Sequence, residues 1–259
     1  MLRHKYGKRG KKMDKKPLNR DVIKYIAMVT MTLNHAARVF LTPGTTLYET
    51  LIYIGYFTAP IMCFFLVEGY HYTKSKLKYA LRLLIFAVIS ELPFCMAFSE
   101  AFAGTNGIAY CGMNMIFTLL ICFCMVWALE ELKSSSLKII VVFVAFYLSM
   151  YSDWALSAPM FTLLFQWAGR DEEKIKGAFA AATLLYGTYR FMGVYGALST
   201  MGSFVYALQN MAGPAMAGVV IVFEYNGRRM EKWKNFSKWF FYIYYPAHLA
   251  LIGAIRLLG

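Results

Sequence analysis

Long apolar stretches recur along the chain, each near the length of a bilayer-spanning helix and each separated from the next by a short polar connection. A helix needs roughly 20 apolar residues to cross a hydrocarbon core, and somewhat fewer where helices pack or the bilayer thins. On that criterion residues 22–41, 50–73, 77–98, 113–130, 137–152, 154–169, 175–191, 198–225 and 236–258 predict an all-α polytopic bundle of about nine spans, within a range of eight to ten. Residues 139–168 read either as one tilted helix or as a hairpin with Asp153 at its tip, and basic residues at both ends favour the hairpin. The stretch 192–225 is long for one straight span, and its glycines with Pro214 predict a broken or re-entrant helix.

Charge adds a direction to this pattern. With nine spans, every Lys and Arg except Arg38, Arg190 and Arg256 falls on one side, whereas the connections at 42–49 and 99–112 contain neither residue. Short loops orient a membrane protein by such a bias, which predicts a cytoplasmic N-terminus in a bacterial inner membrane. The division is a basic cytoplasmic tail, 1–20, and a single transmembrane domain, 21–259. With 59% apolar and 17% aromatic residues, too little polar surface remains to coat a water-soluble domain of this length. The net charge of +13 points to membrane lipid and not to nucleic acid, because juxtamembrane cations set topology and attract anionic headgroups by about 1 kcal/mol each. No cleavage site follows the first apolar run, so that run is expected to remain as a span.

Familiar soluble-enzyme signatures are missing: there is no GxxxxGK[ST], GxSxG or HExxH. Five cysteines supply neither an even disulfide set nor metal-ligand spacing, and no metal is predicted. Cys95 and Cys111 either meet near the outer face or pack as small apolar groups. Chemistry is therefore sought among polar residues inside the spans, where each is costly and by default faces the bundle interior.

Those residues form two layers. Near the cytoplasmic mouth lie Glu68, His71, Thr73, Lys78 and Arg82, suited to phosphates; deeper lie His35, Arg38, Glu91 and Asn114, with Asp153, Tyr245 and His248 as additional candidates. His35 and Arg38 share a helix face, while Asn34 points about 100° away from His35. An anionic head at the mouth and a thin reactive arm reaching inward match acyl-coenzyme A. An imidazole with an ordinary pKa of about 6.5 suits proton removal from an amine. Arg38 or Asn114 would stabilise the oxyanion, an effect of about 3–4 kcal/mol per well-placed donor. Each group also has a purely structural use: His35 as an interhelical hydrogen bond, Arg82 snorkelling to headgroups, His248 capping a carbonyl beside Pro246.

Several blocks occur in an order that resembles the TraX family of F-pilin acetylation proteins. They are Val67-Glu68-Gly69-Tyr70-His71-Tyr72-Thr73, Ser90-Glu91-Leu92-Pro93-Phe94, Asn114 with Phe117-Thr118-Leu119, Ser152-Asp153-Trp154, and Phe241-Tyr242 with Tyr245-Pro246 and His248-Leu249. The matches run from about Ile23 to Leu251. The resemblance implies an inner-membrane acyltransferase that N-acetylates the terminal amine of a pilin-like peptide from acetyl-CoA. It also implies kinship with integral-membrane acyltransferases in which a first-helix histidine, here His35, serves the transfer. This chain has Asn34 where the family usually shows Asp, and Tyr56 where it usually shows Arg after Ile54-Gly55, which removes a buried positive charge. The alternatives are an O-acyltransferase acting on an envelope glycan and a small-molecule transporter or flippase; an internal repeat, usual in transporters, is not evident.

Overall fold

The computed structural model describes residues 16–259, so most of the basic tail lies outside the described residues. Ten α-helices follow one another: α1 (Arg20–Phe40), α2 (Thr46–Gly55), α3 (Thr58–Tyr72), α4 (Lys76–Ala103), α5 (Met115–Glu131), α6 (Ser135–Ser149), α7 (Ser157–Ala168), α8 (Glu172–Val194), α9 (Thr200–Val219) and α10 (Lys234–Leu258). A π-helical turn, Val220–Glu224, extends α9. Among the described residues four segments are long and apolar enough to cross a membrane: Thr46–Tyr72, Lys76–Ala103, Thr200–Glu224 and Phe236–Leu258. With these spans and its all-helical content, the chain is a membrane protein.

Helix starts follow local chemistry. Asn19 caps α1 by accepting from the Asp21 and Val22 amides, Ser75 caps α4, Asn114 caps α5 and Asp171 caps α8. The expected span at 50–73 is two helices, α2 and α3, parted at Tyr56 and Phe57. Close approach explains the sequence there. A Cβ on Gly55 would stand 2.2 Å from the Asn34 Cβ, and one on Gly213 would stand 2.6 Å from the Tyr56 carbonyl carbon. Glycine is thus required where α1 and α9 press on the α2–α3 junction.

The stretch 192–225 is broken as expected: α8 ends at Val194, Gly196 takes φ 94°, and α9 begins at Thr200. Helix α9 then runs on through Pro214, with Gly213 packed against Tyr56, and a second irregularity follows at Val220–Glu224. Residues 139–168 do form a hairpin, with α6 and α7 joined through Asp153. Its tip is knitted to the strand-like segment before α5: Met113 donates to the Tyr151 carbonyl and Asp153 to the Met113 carbonyl, both at 2.8 Å.

Two ends can be told apart by their polar bonds. At one, the Leu18 amide donates to the Glu224 carbonyl, the Arg20 amide to the Arg228 carbonyl, and the Tyr225 hydroxyl to both Glu68 oxygens at 2.7 and 2.9 Å. At the other, Arg256 reaches the carbonyls of Met96, Asn106 and Gly107. Phe94, Phe98, Phe123, Phe161 and Phe165 fill the core between them.

Candidate functional site

A cavity of about 520 Å³ opens at the Arg256 end. His35, on the fifth turn of α1, lines it beside Arg38. The His35 ring lies edge-on to Phe98 and meets His248 edge to edge, with the two imidazole planes 11° apart. His35 Nδ1 is 2.9 Å from His248 Nε2, and His248 Nδ1 is 2.9 Å from the Tyr244 carbonyl. A carbonyl only accepts, so His248 carries its proton on Nδ1 and, when neutral, accepts at Nε2. His35 then donates from Nδ1, which leaves the lone pair on its Nε2. The contact between the two rings therefore leaves His35 Nε2, and not His248, as the nitrogen with a lone pair uncommitted within the pair.

Tyr245 provides the complementary donor. Its oxygen accepts from the Met115 amide at 3.2 Å, at the first turn of α5, leaving the phenolic proton free of any described acceptor. An N–H aimed at the oxygen polarises the O–H further. Arg38 lies beside the Tyr56 hydroxyl, and its guanidinium covers the Phe102 ring at 5.4 Å.

Asp153 lines the same cavity, its carboxylate accepting from the Trp154 amide at 3.0 Å. Burial pushes this loop carboxyl above its ordinary value while Arg38 pulls it down. Trp154 and Leu156 hold φ of 60° and 59°, so the hairpin tip is strained where it forms the cavity wall.

Glu91 and Asn114 are brought together, though not onto His35. The Asn114 side-chain amide donates to the Ala87 carbonyl at 2.8 Å and to Glu91 at 2.7 Å, its backbone amide also meets Glu91, and its oxygen caps α5. Both amide hydrogens are thus committed to tying α4 to α5, and no hydrogen remains to meet an oxyanion.

At the Arg20 end a second cavity, about 250 Å³, is lined by Arg20, Lys24, Arg82, Arg229 and Lys238, with Asp21 as its one acid. The Asp21 carboxylate is occupied by the Met230 amide at 2.8 Å. Burial, and then Arg20, lower the pKa of Arg229 on its loop, an arrangement that an arriving anion would relieve. Thr73 also lines this cavity. Lys78 is exposed outside it, and Glu68 faces a smaller hollow with His71 and Arg170. Arg20, Lys24, Arg229 and Lys238 were not singled out by sequence; the i, i+4 pairing of Arg20 with Lys24 is the signal that placed them on one face.

Met31, Thr58, Met115 and Tyr245 line both cavities, so the two adjoin across one belt of four side chains in the middle of the bundle. Among the described residues no group of three or more His, Cys, Asp or Glu converges as a metal site would require.

A family model described as TraX protein matches residues 19–256. A relative from Dichelobacter nodosus, named "Probable fimbrial assembly protein FimC, serogroup H1", is 30% identical over 240 residues, which is 91% of this chain and 94% of the relative. No solved structure matches.

Proposed function

The chain belongs to the TraX family, and from that premise we propose that it is a multi-pass inner-membrane acyltransferase that moves acetyl from acetyl-CoA to a peptide amine. The observation that carries this reading is the meeting of a histidine-lined cavity with a cationic cavity at Tyr245, Met115, Thr58 and Met31. The five cations at the Arg20 end would hold the phosphates of coenzyme A, by point charge from lysine and by bidentate contact from arginine. Its thin arm would thread the belt and present the thioester carbonyl to Tyr245. With nine spans the Arg20 end is cytoplasmic, where acetyl-CoA is made, and the His35 cavity faces the other leaflet.

Each step has a residue. The neutral acceptor amine attacks the thioester carbon, and His35 Nε2 takes the proton that its nitrogen sheds as the C–N bond forms. Tyr245 donates to the oxyanion of the tetrahedral adduct. When the adduct collapses, the C–S bond breaks and His35 returns the proton to sulfur, giving free CoA and an amide. His248, held by the Tyr244 carbonyl, keeps the His35 lone pair pointed at the work. The relative named for fimbrial assembly favours a pilin-like peptide as acceptor.

The test is transfer of [14C]acetyl from acetyl-CoA to synthetic peptide amines by protein in lipid nanodiscs, with His35→Ala as control. Label in the peptide that vanishes in a folded H35A variant supports the reading. Two cavities that meet end to end also suit a transporter, and label that crosses a proteoliposome without covalent change would establish that instead.

A further inference from the structure

Three cations escape the charge bias that collects all other Lys and Arg on one side: Arg38, Arg190 and Arg256. Arg256 has a structural occupation, since its guanidinium is shared among three carbonyls, with Glu100 at 3.8 Å. Arg38 and Arg190 come from α1 and α8, far apart in sequence, and both line the His35 cavity. Among the described residues neither is ion-paired with a carboxylate, and the buried Arg190 Nε has no hydrogen-bond partner.

Arg190 is not simply snorkelling to headgroups. It donates to the Tyr206 hydroxyl, and its guanidinium is turned over the rings of Tyr206 at 5.1 Å and Tyr56 at 5.7 Å. The dipole of α8 favours a cation near that helix end, but it does not account for a guanidinium folded inward onto the cavity wall. Tyr186 and Trp154, stacked on each other at 5.6 Å, make the apolar floor beside it.

We propose that Arg190, with Arg38, forms an oxyanion subsite in the His35 cavity that selects a peptide acceptor carrying a carboxylate close to its reacting amine. This rests on the acyl-transfer reading of the cavity. Asp153 is the carboxylate that draws on Arg38 in this wall and none pairs with Arg190, so two guanidiniums share one acid and a bound anion offsets the remaining insertion cost; the fork geometry of arginine suits a carboxylate. His35 would act on the amine while Arg190 sets which amine arrives; Arg190 is a specificity residue, outside the proton path.

The experiment uses full-length protein in nanodiscs with [14C]acetyl-CoA and peptides that differ by a single Glu or Gln at successive positions from the amine. At one position the Glu peptide should show kcat/KM higher than its Gln twin by roughly tenfold to a hundredfold, the scale of one charge-assisted hydrogen bond. Arg190→Gln should abolish that preference, so that the Glu and Gln twins react alike, and Arg190→Lys should keep part of it. Equal rates for every Glu/Gln pair, or a preference that survives R190Q, overturns the subsite while leaving the acyltransferase standing. Label found in lipid and not in peptide overturns the peptide carboxylate in favour of a headgroup phosphate. No transfer to any acceptor by wild-type protein removes the acyl-transfer reading, and the subsite with it.

Discussion

Replacing His248 tests the proton arrangement more sharply than replacing His35. If His248 only orients its neighbour, His248→Ala removes one hydrogen bond, His35 Nδ1 to His248 Nε2 at 2.9 Å, and lets His35 sample both tautomers. One such bond is worth about 0.5–1.5 kcal/mol, so transfer should slow by roughly 2- to 13-fold. His35→Ala removes the base itself and should cost about 100-fold or more. His248→Gln, whose amide oxygen can occupy the Nε2 position as an acceptor, should recover most of the H248A loss. The assay is single-turnover [14C]acetyl transfer in nanodiscs, with thermal unfolding to show that each variant is folded. Equal losses in H248A and H35A would refute an orienting role and put His248 in the proton path; no loss in H248A would make the pairing idle.

Other consequences follow from the same geometry. Tyr245→Phe keeps the ring but loses the oxyanion donor and the acceptor of the Met115 amide, so kcat should fall by about a hundredfold to a thousandfold with the KM for acetyl-CoA nearly unchanged in steady-state kinetics. Arg20→Gln with Arg229→Gln should raise that KM and flatten its dependence on salt, and dephospho-CoA thioesters should show a smaller effect of the pair. Gly213→Ala places a Cβ 2.6 Å from the Tyr56 carbonyl carbon, an overpacking cost of about 1–3 kcal/mol, which thermal unfolding should register as a lower midpoint. Cys95 and Cys111 have sulfurs 3.9 Å apart, so mild oxidant should couple them, and alkylation followed by mass spectrometry should then find two fewer free thiols than in the reduced protein.

Which parts of this were visible in sequence depends on the kind of physics that carries them. The hairpin at Asp153 and the start of α5 near residue 113 were legible because bilayer thickness and helix capping act locally, on spacing and residue type. Polar residues inside apolar spans were also legible as a set, since the membrane penalises them individually; His35, Asp153, Tyr245 and His248 do converge. Their roles were not legible, because a hydrogen bond between residues 213 positions apart has no local signature. Glu91 and Asn114 illustrate the converse: both are polar and meet in one interhelical junction, where Glu91 Oε1 alone is left without a partner. The phosphate-suited cations were hidden for a different reason. Arg20, Lys24, Arg229 and Lys238 sit where the positive-inside bias already places cations, so a binding cluster and a topology signal look alike until the chain is folded.

That ambiguity resolves once the two sets of cations are compared. A cation on the Arg20 side satisfies the orientation bias whether or not it binds anything, so its presence alone argues little. A cation on the opposite side works against the bias and is also expensive to bury, so it needs a partner within the protein or from outside it. Arg256 has its carbonyls. Arg38 and Arg190 have aromatic faces and an open cavity beside the histidine pair. The same accounting explains why the belt at Met31, Thr58, Met115 and Tyr245 contains no ionised group: Thr58 spends its hydroxyl proton on the Ala27 carbonyl, the methionines are apolar, and Tyr245 keeps one proton to give. A neutral constriction between two cationic cavities would hold charged heads apart at either end and pass only a thin uncharged arm, which is the shape of a thioester bearing an acetyl group.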